Sequence, residues 1–337
     1  MRAAPVIQES KDFDMISLDK LVGLNIEVSS ICNAKCPFCS RNKKVRTYDT
    51  HLIRLADFKR LPKSFLRHLE WVAFGGNFGD LAANNDMPQM AEYAKQLNHK
   101  VQLHGDTNGS LQKASWWHEL GLHYQDGFMV FSLDGLDDTH AIHRRGTDFQ
   151  TIVKNTRAFA GAGGVAYWKF ILFEHNEHQI RQAEKIAEDI GCTRFFVVSS
   201  REYNGECRRP QSMQFELKKE IDTRYQAQVL SENGFARCKP FANQSIYIAA
   251  DGTVHPCCLA HCMYITEYEP SFKFAAHLIQ DHLDRINFKT RPLEKIIQGA
   301  YFKKMFKLSK TNSYCISKCN KYKKEARQEL ILYDRYF

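Results

Sequence analysis

The stretch LNIEVSSICNAKCPFCSR, residues 24–41, decides the fold of this chain. Its first part, residues 24–29, is rich in strand-forming residues and ends in serine, which is typical of a strand that runs into a loop. The loop then carries Cys32, Cys36 and Cys39 in the spacing C-x3-C-x2-C. In α/β proteins, the loops at the carboxyl ends of parallel strands carry the chemistry. The stretch therefore predicts a thiol-rich functional loop directly after the first strand of an α/β sheet.

Predicted strands and helices alternate downstream of this loop. Five further β-rich runs follow, at residues 71–76, 100–105, 127–133, 166–173 and 194–200. Helical periodicity appears between them, at residues 87–98, 112–120, 149–161 and 177–190, and Gly191 is a C-terminal cap for the last of these. This alternation predicts consecutive βα units around a parallel sheet.

The alternation stops near residue 202. A polar helical stretch is predicted at residues 214–233, a further helix at 293–308, and a β-hairpin around the strong turn signal Asp251-Gly252. We therefore predict five parts. They are an N-terminal arm (1–20), a βα core (21–202), a helical linker (203–237), a smaller domain (238–320) and a basic C-terminal tail helix (321–337).

The composition is that of an ordinary globular protein. Of 337 residues, 44% are hydrophobic and 25% are charged. The sequence has no run of about 18 apolar residues, and its first residues lack the apolar centre of a secretory signal, so we expect a cytoplasmic protein without a membrane span. The net charge of +9 is compatible with nucleic-acid binding, but no RNA- or DNA-binding motif accompanies it, so nucleic acid is not the expected partner.

Eleven cysteines are a high number for a cytoplasmic chain of this length. Reducing conditions disfavour disulfides there, so clustered thiols indicate metal binding or catalysis, whereas Cys192 and Cys207 stand alone. The three thiolates of the first loop suit three corners of a [4Fe–4S] cluster and leave the fourth iron without a protein ligand. A structural zinc site is the alternative, but it needs a fourth ligand, and His51, the nearest downstream histidine, is a poor match.

The cysteine loop, with an aromatic residue before its third cysteine, resembles the signature of the radical S-adenosylmethionine (SAM) superfamily. FGGNFGD (residues 74–80) is similar to the glycine-rich element that contacts the methionine amino group of SAM, and GDTNG (105–109) to the segment that contacts the ribose. FSLDG (131–135), followed by His140 and Arg144-Arg145, resembles the SPASM and twitch branches. The resemblance implies SAM contacts from Phe38, Gly75, Gly76, Asn77, Thr107, Asn108 and Ser132, the last to the SAM carboxylate.

The resemblance implies a particular fold and also shows one departure. It implies a partial (β/α)6 TIM-like barrel, followed by a small C-terminal α+β domain of the twitch or SPASM type that holds iron and sulfur. Many family members carry a glutamate beside the glycine pair, where this chain has Asn77. Asp80 is the candidate for the missing acid.

The second cysteine set resembles a twitch domain, a shortened SPASM domain with one auxiliary [4Fe–4S] cluster. Its implied ligands are Cys238, Cys257, Cys315 and Cys319. The same four thiols also suit a tetrahedral zinc site, because both metals accept four thiolates. Cys258 and Cys262 are left over, and Cys262 is a possible replacement for one of the late cysteines.

The chemistry implied by the resemblance is radical chemistry of the oxidoreductase type. SAM would bind the open iron of the first cluster and be cleaved reductively, giving a 5′-deoxyadenosyl radical that abstracts hydrogen from a peptide, a protein side chain or a small polyol. The electron donor would be a flavodoxin or ferredoxin. Two alternatives remain open: a radical SAM enzyme that acts on a nucleotide or RNA, and a non-catalytic, zinc-stabilised binding protein. The sequence assigns no catalytic acid or base, although His104 and Asp106 lie at a predicted strand end.

Overall fold

A computed structural model describes residues 17–43, 46–211, 244–266 and 270–315 of the chain. The predicted helix at 214–233, Cys238, Cys319 and the predicted tail helix lie outside these described residues. Within them, no helix combines the length and the apolar character that crossing a membrane requires.

The strands of the described residues form one eight-stranded sheet with the order β6-β5-β4-β3-β2-β1-β7-β8. Neighbouring strands are parallel from β6 to β7, and only the last pair is antiparallel. The first six strands stand side by side in chain order, as successive βα units require. The strands are β1 (Gly23–Ile26), β2 (Trp71–Phe74), β3 (Gln102–Thr107), β4 (Phe128–Ser132), β5 (Ala166–Leu172), β6 (Cys192–Ser199), β7 (Ser245–Ile248) and β8 (Val254–His255). The predicted α/β fold built on a partial parallel barrel is confirmed.

The helices between the strands cover one face of this sheet. On β1, Leu24 and Ile26 belong to the main hydrophobic core. Asn25 of β1 and Glu27 directly after it are buried polar residues of the opposite face. The helices are α1 (Leu55–Phe58), α2 (Lys63–His68), α3 (Met87–Leu97), α4 (Ala114–Gly121), α5 (His140–His143), α6 (Phe149–Gly161), α7 (Ile180–Asp189), α8 (Cys258–Thr266), α9 (Pro270–Gln280), α10 (Leu293–Ile297) and α11 (Ala300–Thr311).

The late helix differs from its prediction. The stretch at 293–308 forms two helices, α10 and α11, and Gly299 is the N-cap of the second one. Glycine is unfavourable in a helix interior, so its position explains why the periodic pattern is interrupted there.

The predicted hairpin forms, but it lies in an unexpected place. Gly252 has a φ of +94°, which favours glycine, and the backbone N–H of Thr253 donates to Asp251 Oδ1 at 2.8 Å in the turn. The first strand of the hairpin, β7, pairs in parallel with β1 and extends the sheet of the βα core. Residues that the sequence assigns to a second domain therefore flank the strand that leads into the cysteine loop.

Candidate metal and cofactor site

The cysteine loop leaves the carboxyl end of β1 and is held at several points. Cys36 is buried, and Cys32 and Cys39 are half-buried. The backbone N–H of Cys39 donates to the carbonyl of Cys36 at 3.2 Å, which closes a tight turn between the second and third cysteines. The amide of Asn42 donates to the same Cys36 carbonyl at 2.9 Å. The three thiols are therefore carried on one short, ordered loop.

Two of the three thiols lie beside an N–H donor from elsewhere in the chain, one directly after β3 and one directly after helix α5. Asn108 Nδ2 is 3.5 Å from Cys32 Sγ, and Arg144 Nη1 is 3.9 Å from Cys36 Sγ. Burial raises the pKa of the Cys32 thiol to about 12 and also raises that of Cys36. Both thiols must release a proton when they bind a metal, and the neighbouring donors favour the charged form.

A buried carboxylate holds the arginine that reaches Cys36. Asp134 Oδ2 accepts hydrogen bonds from Arg144 Nε at 2.5 Å and from His143 Nδ1 at 2.7 Å, and Asp134 Oδ1 accepts one from the backbone N–H of Ile171 at 2.7 Å. Burial alone would disfavour the charged form of Asp134. The guanidinium of Arg144 and the other hydrogen-bond donors nevertheless hold the pKa of Asp134 well below its usual value. The predicted aromatic residue Phe38 stacks on the ring of His143, with centroids 5.9 Å apart.

The glycine-rich loop after β2 is organised by Glu27, which the sequence reasoning missed. Glu27 Oε1 accepts from the backbone N–H groups of Phe78 at 2.7 Å and Gly79 at 2.9 Å, and Glu27 Oε2 accepts from the hydroxyl of Tyr247 at 2.6 Å. Gly76 has no room for a side chain, because a Cβ there would lie 2.2 Å from Glu27. The signal that could have identified Glu27 is a charged residue directly after β1, between the apolar residues Ile26 and Val28.

The predicted SAM contacts of this loop have partners within the protein. The backbone N–H of Gly75 donates to the carbonyl of Ile26 at 3.1 Å, which continues the β1–β2 ladder. The side chain of Asn77 donates to the carbonyl of Cys258 at 2.8 Å and so joins the loop to helix α8. The buried acid beside the glycine pair is thus Glu27, the residue directly after β1.

Asp80, the acid considered for that place, instead connects two strand ends. It accepts from the hydroxyl of Thr107 at 2.9 Å and from the backbone N–H groups of Asn108 at 2.7 Å and Ala82 at 3.0 Å. These bonds position the predicted ribose segment, Thr107 and Asn108, against the glycine-rich loop. The side chain of Asn108 is then directed at the cysteine loop, where it also donates to Asn33 Oδ1 at 3.0 Å.

Further polar residues of the face opposite the helices lie on β3, β4 and β5. Ser132, the predicted carboxylate contact, is buried at the end of β4 and is in register with Lys169 of β5. Lys169 Nζ is 3.1 Å from Asp106 Oδ1, so this acid is part of an ion pair. Burial lowers the pKa of His104 to about 3, which keeps this imidazole neutral at ordinary pH.

Only part of the second cysteine set lies within the described residues. Cys257 and Cys315 are half-buried, and Cys257 packs against the main core beside β8. Cys258 and Cys262 are buried and are separated by one turn of α8. In the described ranges, no three His, Cys, Asp or Glu side chains are grouped so as to hold a single metal ion.

Two family models match the chain. A model of the radical SAM superfamily matches residues 26–190, and a model of the SPASM domain, described as an iron–sulfur cluster-binding domain, matches residues 238–321. No curated protein gave a match. The two domains imply [4Fe–4S] clusters and SAM as cofactors, as the resemblance predicted. The donor chemistry agrees, since three thiols share one loop and two of them face N–H donors.

Solved structures with the same fold include SuiB from Streptococcus suis and anSMEcpe. SuiB bound to the precursor peptide SuiA is 18% identical, with a TM-score of 0.50 over 70% of this chain and 59% of SuiB. Native anSMEcpe with bound AdoMet is 17% identical, with a TM-score of 0.52 over 84% of this chain and 82% of that one. With AdoMet and the Kp18Cys peptide, anSMEcpe is 15% identical, with a TM-score of 0.53 over 93% of this chain and 88% of that one.

At these identities the structural likeness shows the fold alone, and this chain spans about 60% of the SuiB chain. The two family models identify the family of the chain, because one matches the βα core and the other matches the C-terminal segment, in the expected order. The chain belongs to the radical SAM superfamily, in the branch that carries a SPASM iron–sulfur domain.

Proposed function

We propose that this chain is a radical SAM enzyme that holds its SAM-binding [4Fe–4S] cluster on Cys32, Cys36 and Cys39 and modifies a peptide or a protein side chain. Bound there, the cluster and SAM supply reductive cleavage of the sulfonium and a 5′-deoxyadenosyl radical for hydrogen abstraction. The observation that carries the proposal is the arrangement of the cysteine loop. Three thiols follow β1, and N–H donors from the end of β3 and from the end of helix α5 lie beside two of them.

The residues of the chain serve binding and orientation. Glu27 fixes the glycine-rich loop, whose backbone is the proposed contact of the SAM amino group. Asp80 fixes Thr107 and Asn108 for the ribose, and Ser132 lies buried at the end of β4 for the carboxylate. Phe38 packs on His143 beside the third cysteine and helps exclude water from the loop.

The proposed substrate class follows from the peptide complexes of the proteins with the same fold. SuiB and anSMEcpe are both seen with bound peptides. The face opposite the helices is partly exposed along β5, where Tyr167, Lys169 and Ile171 alternate as half-buried residues, and it is the proposed substrate surface. A small polyol is the other substrate class in keeping with the branch. The electron donor is proposed to be a flavodoxin or ferredoxin.

The C-terminal segment is proposed to hold one auxiliary [4Fe–4S] cluster on Cys238, Cys257, Cys315 and Cys319. Four protein ligands would leave that cluster without an open iron and so favour electron transfer over binding of substrate.

The test is anaerobic reduction in the presence of SAM, followed by quantification of 5′-deoxyadenosine. Cys36→Ala should abolish this product and lower the iron content while the protein stays folded by circular dichroism. Cys192→Ala is the matched control, because Cys192 is a half-buried thiol on β6 away from the loop, and it should behave as the wild type. Product formation by Cys36→Ala at the wild-type rate would refute the assignment of the loop.

A further inference from the structure

Two polar side chains reach the thiols of the cysteine loop from outside it. Asn108 comes from the end of β3 and lies at 3.5 Å from Cys32 Sγ. Arg144 follows helix α5 and lies at 3.9 Å from Cys36 Sγ. Asn108 is buried, and the side chain of Arg144 is 14% exposed, so water competes little for either donor. Both contacts therefore act in a medium where hydrogen bonds and charges are strong.

The guanidinium of Arg144 is held in place by a second residue. Its Nε donates to the fully buried Asp134, while Nη1 of the same planar group faces Cys36. His143 and the backbone N–H of Ile171 complete the donors to Asp134. A lysine has no rigid fork and is unable to reproduce this two-sided arrangement.

The adjacent arginine is in a different situation. Arg145 has a side chain that is 42% exposed, and it forms an ion pair with Glu206, itself 66% exposed. Its guanidinium also donates to the carbonyl of Ile142. Of these two adjacent arginines, Arg144 thus contacts a thiol of the cysteine loop, whereas Arg145 forms an ion pair at the surface.

Donors next to cluster thiolates have a defined electrostatic effect. Reduction of a [4Fe–4S] cluster adds one negative charge to a group that the thiolates already make negative. Hydrogen bonds to the sulfurs and nearby positive charge stabilise the reduced form, which raises the reduction potential. The same donors leave the number of iron ligands unchanged.

We propose that Arg144 and Asn108 are positioning residues that set the reduction potential of the SAM-binding cluster, with Asp134 holding Arg144 against Cys36. This inference rests on the proposed function, because it requires the cluster at Cys32, Cys36 and Cys39. The FSLDG segment would then influence reduction of the cluster, because its residue Asp134 holds Arg144 beside Cys36.

The experiment is a redox titration of the anaerobic, full-length protein without SAM, followed by electron paramagnetic resonance. The signal that is missing in Cys36→Ala identifies the loop cluster and separates it from an auxiliary one. Arg144→Gln should shift the midpoint of this signal to a more negative potential. The shift expected is at least tenfold in the reduction equilibrium, or about 59 mV for one electron. Asn108→Ala should shift it in the same direction by less, since it removes a neutral donor.

Two further variants make the result specific. Arg145→Gln removes an arginine one position away and should leave the midpoint potential unchanged. Arg144→Lys keeps a positive charge, so its midpoint potential should lie between those of the wild type and Arg144→Gln. Iron content is measured for every variant. If Arg144→Gln fails to bind iron at the loop, the inference is tested by the midpoint potentials of Arg144→Lys and Asn108→Ala. Both should be more negative than that of the wild type, and unchanged values would overturn the inference.

Unchanged midpoints in Arg144→Gln and Asn108→Ala, with iron retained, would overturn the inference and leave the proposed function standing. Equal shifts in Arg144→Gln and Arg145→Gln would overturn it as well, because they would show only a general loss of positive charge. If Cys36→Ala retains all iron and every signal, the proposed function itself fails.

Discussion

At the scale of single residues, Glu27 connects the first strand, the glycine-rich loop and the C-terminal hairpin. Burial raises its pKa from the ordinary value of 4.5, although Tyr247 and two backbone N–H groups favour the charged form. His261 Nδ1 lies 3.9 Å from Glu27 Oε2, and burial lowers the pKa of this imidazole to about 4. The histidine is therefore neutral in the range where Glu27 titrates and offers it no compensating charge.

This gives a prediction for the pH dependence of stability. Because folding raises the pKa of Glu27, the folded state holds this proton more tightly than the unfolded state does. Glu27 thus reduces the free energy of unfolding as the pH rises from about 4.5 towards the folded pKa. Glu27→Gln keeps an acceptor for Phe78 and Gly79 but does not titrate. In anaerobic urea unfolding, the wild type should lose more stability than this variant as the pH rises from about 4.5 through the folded pKa of Glu27.

The control for this prediction is Glu70→Gln, which changes an exposed glutamate beside the start of β2. It should follow the pH dependence of the wild type. If Glu27→Gln follows the wild type as well, the charge of Glu27 does not influence stability in the way described.

At the scale of elements, the close approach of the loop after β2 to the cysteine loop depends on glycine. A Cβ on Gly79 would lie 1.7 Å from the carbonyl oxygen of Ser29 and 2.8 Å from Ser30 Cα. These are backbone atoms, so no side-chain rotation relieves the clash. The two loops that flank the proposed cofactor site are in contact because one of them has no side chain at this point.

Gly79→Ala is therefore expected to lower the free energy of unfolding by about 1–3 kcal/mol or more, and to weaken SAM binding, because the loops must separate. Gly161→Ala is the matched control, since nothing lies within 4 Å of a Cβ at this last residue of α6, and it should be neutral or slightly stabilising. Denaturant unfolding and a SAM-binding titration measure the two effects. Equal stability of the two variants would contradict the close approach of the loops.

Most elements were predictable from local patterns, whereas their long-range pairing was not. The runs at 71–76 and 166–173 lie within one or two residues of the observed β2 and β5, because both are rich in the β-branched and aromatic residues that favour strands. The hairpin at Asp251-Gly252 was predictable from its turn. That β7 pairs with β1 was not, since parallel pairing is set by packing between distant segments and leaves no local signal.

The candidate site was likewise predictable where its signals are local in the sequence and not where its contacts join distant segments. The thiol spacing on one loop is a local signal, and so are the glycine pair and the FSLDG segment. The contacts of Asn108 with Cys32 and of Arg144 with Cys36 span 76 and 108 residues of sequence, so they appear only once the strands are assembled. Glu27 was overlooked because its partners lie 51 to 220 residues away.

At the scale of the whole molecule, the proposed auxiliary cluster separates the chain into two iron-binding parts. Cys319→Ala should reduce the iron content from about eight to about four per chain, because two cubes hold eight irons. SAM cleavage should persist in part, since the loop cluster keeps its three ligands. Iron and sulfide analysis with the 5′-deoxyadenosine assay measures both, and Cys192→Ala is again the control. Unchanged iron in Cys319→Ala would remove this cysteine from the proposed ligands.

The position of β7 has a consequence for how the chain is made. Glu27 and its hydrogen-bond partner Tyr247 are 220 residues apart, so during synthesis the edge of β1 that β7 covers is without this strand until more than 200 further residues have been made. An unpaired strand edge invites association with other chains, and contacts between distant segments form slowly. Pairing of β7 with β1 is therefore expected to be a late step in the folding of the sheet, because it must wait for a segment made more than 200 residues after β1.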